Sequence, residues 1–146
     1  MEVKLFIEKL VASGVVSRSL VDLPNHGVSD LQIDDVQVAL GERLPSVLVA
    51  FLRVYDGANL DVIRFHPLWK IVRSEYGLAF ASCPAGFVYH ACPDGSVLVE
   101  DSRGSEVKQI ADSLSEFVVS YLFGSRSAEF GGVGWYQELV NAGIAT

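Results

Sequence analysis

Apolar residues along this chain change their spacing twice, and the changes divide it into helical, strand-like and again helical zones. Val3, Phe6, Ile7, Leu10 and Val11 recur at helical intervals with Gly14 behind them, which predicts an amphipathic helix over residues 2–13. Pro24, Asn25 and Gly27 then favour a connecting loop. Ser29 and Gln32 have capping-box spacing, flanked by Val28 and Ile33, so a helix is predicted to begin after Ser29. Ile33, Val36 and Leu40 form its buried stripe and Gly41 stops it. Pro45 suits the first position of another helix, where its missing N–H would be unpaired anyway. Leu48, Phe51, Leu52 and Tyr55 share a face of that helix, and Asp56-Gly57 ends it.

Between residues 61 and 110 short apolar runs rich in Val, Phe and Tyr alternate with Pro and Gly, the pattern of strands and turns. Leu78–Phe80, Phe87–His90 and Val97–Glu100 are the predicted strands. Pro93-Asp94-Gly95 and Ser102-Arg103-Gly104 supply the reversals, the second of them before Val107. A meandering antiparallel sheet follows. Ser113 and Glu116 then repeat the capping-box spacing, and Leu114, Phe117, Val118, Tyr121 and Leu122 fill one helical face before Gly124. Phe130-Gly131-Gly132-Val133-Gly134 reads as a flexible link, followed by a short helix carrying Trp135, Tyr136, Leu139 and Val140 and ending at Gly143. Helices, then strands, then helices predict one α+β domain over residues 1–146, its antiparallel or mixed sheet carrying helices on one face and at the edges.

Composition narrows the setting. A chain of 146 residues buries roughly 70% of its unfolded surface, enough for one core. Half of the residues are hydrophobic and 20% charged, which excludes disorder, and no apolar run approaches the ~20 residues of a membrane span. The first ten residues intersperse charges among apolar positions, unlike an export signal. Cys83 and Cys92 are the only cysteines, so a reducing, cytoplasmic setting is expected. Lys plus Arg number 11 against 18 Asp plus Glu, a net charge of −7 that repels nucleic-acid phosphates and attracts a basic protein, while also serving solubility. The expected assembly is a monomer or a weak homodimer.

Few residues offer chemistry. Cys83, His90 and Cys92 have zinc-binding side chains but neither the number nor the spacing of a structural site, so no metal or other cofactor is expected. Strand cysteines are usually small buried hydrophobes, and His90 is expected at the sheet surface or in a hydrogen bond. Gly-x-Ser-x-Gly is absent, and Gly131-Gly132-Val133-Gly134 lacks the Lys and Ser/Thr of a phosphate loop. The chain is therefore read as non-enzymatic, with a Cys/His or Ser/His pair meeting only in space as the remaining route to catalysis. In His66-Pro67-Leu68-Trp69 the indole suits a partner contact, although tendencies favour core packing for Trp69 and Trp135 alike. Asp94, Glu100, Asp101 and Glu106 crowd the hairpin region. Together with Asp56 and Asp61 they form a candidate acidic edge for a cationic partner; the plainer reading is that they solvate strands and discourage edge pairing.

Leu40-Gly41-Glu42-Arg43-Leu44-Pro45, followed by Phe51-Leu52 and Tyr55-Asp56-Gly57, resembles the helix–Leu-Gly-x-x-Leu-Pro–helix–Asn-Gly signature of the SUKH superfamily, which includes the Smi/Knr-type yeast cell-wall regulators. The later order is similar too: strand, Asp-Gly turn, strand and a Ser-led helix, matched by Phe87–Glu100 and Ser113–Leu122. The resemblance covers residues 28–124. Gln37 stands where the family often has Glu, and Asp56-Gly57-Ala58 replaces Asn-Gly-Gly. It implies a mixed sheet with surrounding helices and no shared enzymology. Many bacterial relatives are immunity proteins that neutralise polymorphic toxins, so the resemblance implies a protein partner, a basic toxin domain, blocked by occlusion. The alternative it implies is an intracellular regulatory scaffold or a small-ligand sensor with a pocket between sheet and helices. A deep cavity lined by His or Arg would point to the sensor, and a flat acidic face to the inhibitor.

Overall fold

In a computed structural model, which describes Lys9, Ala12 and residues 27–59, 62–101, 103 and 106–145, the capping box at Ser29 opens α1 (Asp30–Leu40). The Gln32 amide donates to Ser29 Oγ, and the Ser29 amide donates back to Gln32 Oε1 at 2.8 Å. Apart from Lys9 and Ala12, the helix predicted over 2–13 lies outside the described residues, as do Pro24, Asn25 and Asp61. Gly41 ends α1 in the left-handed region (φ +74°), its N–H reaching the carbonyls of Gln37 and Val38. The Leu44 amide donates to Gln37 Oε1 at 2.9 Å, closing the loop into α2 (Ser46–Val54). Pro45 lies one position outside that helix rather than within it. Its extended ψ of 143° makes it the cap, and its carbonyl accepts from Val49. Leu48, Phe51 and Leu52 are buried, and Phe51 stacks on Phe65 at 4.5 Å.

Among the described residues seven antiparallel strands follow: β1 (Ala58–Asn59), β2 (Arg64–Phe65), β3 (Val72–Arg73), β4 (Leu78–Ser82), β5 (Phe87–Ala91), β6 (Val97–Asp101) and β7 (Val107–Ala111). The sheet runs β1-β2-β4-β5-β6-β7, with β3 beside β4. The predicted meander is thus β4 to β7. The two-residue strands β1, β2 and β3 are too short to show a period of their own. Alternation along β5 sends Tyr89 to one face and His90 to the other. On the first face Phe80 and Tyr89 meet Phe117 at 5.8 and 5.4 Å, and this is where the helices lie.

Ser113 Oγ accepts from the Glu116 amide, while Glu116 reaches back to the Asp112 amide, one residue beyond the reciprocal bond of a full capping box. The helix so begun, α3, is α-helical over Leu114–Glu116 and π-helical over Phe117–Leu122. Leu122, at the end of the π segment, and Phe123, which caps it, are both buried. The helix α4 (Ser127–Asn141) starts earlier than predicted. The expected flexible link reduces to a single break at Gly132 (φ +85°). Trp135 is buried as expected, its indole N–H donating to the Leu122 carbonyl at 2.8 Å. Among the described residues no helix is long and apolar enough to cross a membrane.

Candidate functional site

Trp69 is not in the core. It sits on a 3₁₀ turn, Leu68–Lys70, and is 78% exposed beside Val72, which is 53% exposed. The reason is the period: with three residues per turn, Leu68 and Ile71 point the same way and are both buried, so Trp69 is rotated about 120° outward. The turn is anchored on both sides. The Leu68 amide donates to Asp56 Oδ1 at 2.7 Å, and beyond Ile71 the Arg73 guanidinium bonds the Leu40 carbonyl and pairs with Glu42 at 3.3 Å. A cation at the C-terminal end of α1 also suits that helix's dipole. Asp56, a candidate for partner contact, holds the turn that presents Trp69.

The remaining acidic candidates are not gathered into one edge. Asp94 lies in the β5–β6 turn, bonded to the Ser96 amide and hydroxyl, and these bonds hold its carboxyl below the usual range. Glu100, Asp101 and Glu106 lie at the opposite end of β6, separated from Asp94 by the strand, roughly 16 Å. Of these, Glu100 pairs with His90 and Asp101 with Arg103, while Glu106 is exposed.

On the sheet face away from α3, a polar group forms that the linear sequence did not disclose. His90, 2% exposed, bonds Ser74 Oγ through Nδ1 at 2.7 Å and Glu100 Oε1 through Nε2 at 2.9 Å. The ring of Tyr76 covers it edge-on at 5.2 Å. Serine, histidine and carboxylate are the constituents of a hydrolase triad, but there Nε2 faces the hydroxyl and Nδ1 the carboxylate, the reverse of this arrangement. Ser74 Oγ also accepts from the amides of Tyr76 and Gly77 and lies 3.1 Å from the Gly77 carbonyl. Its lone pairs are committed to the turn, so the group ties the β3–β4 turn to the sheet. With Nε2–H donating to Glu100, Nδ1 accepts from the Ser74 hydroxyl. Half of this was legible, because the hairpin around Asp94-Gly95 sets His90 opposite Leu98 and diagonal to Glu100. Ser74, from a distant turn, left no signal.

Cys83 and Cys92, both free and half-buried, fall at opposite ends of β5. Among the described residues no three His, Cys, Asp or Glu side chains are placed to hold a metal.

Where the β4–β5 turn meets α3 and α4, a cleft of about 520 Å³ opens on the helical side of the sheet. Phe87, Tyr89, Tyr121 and Phe130 wall it, Val99 and Ile110 form its floor, and Cys83, Lys108 and Glu129 reach its margin. Tyr121 is delivered by the π-helical part of α3, with the Arg126 guanidinium 5.1 Å above its ring. Arg126 in turn bonds Glu116 at 2.9 Å and Glu129 at 3.1 Å, so one guanidinium is shared by two carboxylates. No histidine or arginine is among its described lining residues.

The sequence matches no model of a known protein family and none of the curated proteins with which it was compared.

Proposed function

We propose that this chain works by contact, as a non-enzymatic protein-binding domain of the immunity type that occludes a basic toxin domain, with Trp69 as its anchor. The observation that carries this reading is the exposed indole on a turn pinned from both sides. Large rigid aromatics dominate interface energies, and a pre-ordered turn adds little entropic cost on association. Charge and resemblance support it from different directions. A net −7 steers a cationic partner, and the Leu40–Pro45 signature resembles that of SUKH immunity proteins. Asp56 serves as a positioning residue under this reading, and Glu106 and Asp101 contribute field more than contact.

The test is to recover the partner by co-purification from the native cell and titrate its activity with purified chain. Inhibition at stoichiometric amounts is expected. Trp69→Ala should weaken binding by about 2 kcal/mol, roughly 30-fold in Kd, without altering the fold. An identified partner that binds Trp69→Ala as tightly as the natural chain removes the indole from the interface. A partner left fully active at saturation removes the inhibitory role.

A further inference from the structure

The cleft between sheet and helices has a composition that core packing alone does not require. Its four aromatic rings come from three separate elements, β5, α3 and α4, and the volume they leave falls within the range of small-molecule sites. Phe130 meets Tyr121 at 5.5 Å and Tyr89 at 6.3 Å with their planes tilted by about 60°, so the rings form a continuous aromatic surface against which a planar ring can pack by offset or edge-to-face contact. A π-helical segment supplies one of them, and such segments recur at functional sites.

The polar groups around these rings are unbalanced in one direction. Lys108, exposed on β7, makes no ion pair or hydrogen bond among the described residues, whereas Glu129 across the cleft is already paired with Arg126. Lys108 is therefore the charged lining group left without a counter-ion among the described residues. The hydroxyls of Tyr89 and Tyr121 likewise have no hydrogen-bond partner among the described residues. Burial raises both phenols above their ordinary range, so they remain protonated donors at neutral pH. One ammonium and two phenolic O–H groups match a carboxylate, whose two oxygens accept up to about four hydrogen bonds with a single negative charge. A dianionic phosphate would carry one more negative charge than Lys108 offsets.

We infer that this cleft is a binding site for a small planar aromatic carboxylic acid, its ring held among Phe87, Tyr89, Tyr121 and Phe130 and its carboxylate at Lys108. The site shares no residue with the Trp69 turn, so it stands or falls independently of the contact reading above.

The probes are 2-naphthoic acid and its uncharged analogue 2-naphthamide, titrated into the full chain by calorimetry. Cys83 serves as an internal reporter, because in a Cys92→Ser background its thiol at the cleft margin is the only one left to label. Saturable binding of the acid is expected, with slower alkylation of Cys83 when it is bound. Lys108→Met should weaken the acid by about tenfold and leave the amide unchanged; the position is exposed, so the fold tolerates the change. Should the acid fail to saturate, bind no better than the amide, leave Cys83 labelling unslowed, or bind Lys108→Met equally well, the inference is overturned. The labelling result needs no change at Lys108 and keeps the test independent of that variant's folding.

Discussion

Two tryptophans of one chain meet opposite fates. Trp135 fills the space beside Phe123 and gives its N–H to Leu122, while Trp69 projects from a turn whose inward directions are taken by Leu68 and Ile71. Their substitutions should separate cleanly in thermal unfolding. Trp135→Phe removes a buried hydrogen bond and part of a large ring, and is expected to cost about 1–3 kcal/mol. Trp69→Ala should stay within about 0.5 kcal/mol of the natural chain. His66 offers a second measurement at this scale. Burial first, and the positive charge of Lys70 second, hold its pKa below the ordinary 6.5. The unfolded chain therefore takes up a proton more readily than the folded one, so the contribution of His66 is present above about pH 6.5 and lost as pH falls through its lower folded value. Melting temperature should drop between about pH 7 and pH 5 in the natural chain, and the drop should be shallower in His66→Gln. Identical slopes in the two proteins would contradict this.

Elements meet their neighbours through a few side chains that stand in for missing backbone partners. The turn from α1 into α2 depends on Gly41 in the left-handed region and on Gln37 Oε1, which accepts the Leu44 amide. A glutamate at position 37 keeps an acceptor oxygen in place, and leucine does not. Gln37→Leu is expected to destabilise by about 1–2 kcal/mol in denaturant unfolding, with Gln37→Glu close to neutral. The same logic reads the start of α3. Ser113 caps it as its spacing foretells, but the helix then widens into a π turn over Phe117–Leu122, with Leu122 and the following Phe123 both buried. Hydrophobic spacing alone, with Leu114, Phe117, Val118, Tyr121 and Leu122 in register, does not separate an α from a π continuation. In the glycine-rich stretch from 130 to 134 composition misleads in the other direction. Glycine permits a break without demanding one, and only Gly132 takes it.

Across the whole molecule the excess of negative charge acts at a range that no single contact does. If association with a basic partner is steered by this field, raising the salt from about 50 mM to 500 mM should slow the on-rate severalfold and barely alter the off-rate, as stopped-flow binding would show. An on-rate indifferent to salt would confine the −7 to a solubility role. The sheet also separates what happens on its two faces. One carries the helices, the aromatic core and the cleft; the other carries the Ser74–His90–Glu100 tie. A strand's alternation puts Tyr89 and His90, adjacent in sequence, into these unrelated settings.

Periodicity and turn chemistry by themselves determined that residues from Ser29 to Gly57 form two helices, that β4 to β7 form a meander, and that a capped helix begins after Ser113, because each depends on neighbours within a few positions. Tertiary structure alone decided that Trp69 faces outward, that Asp94 and Glu106 lie apart, that Ser74 closes the His90 group, and that Tyr89, Lys108, Tyr121 and Phe130 share a cleft. Each of those outcomes depends on where a distant segment comes to rest, and residue spacing along the chain does not contain that distance.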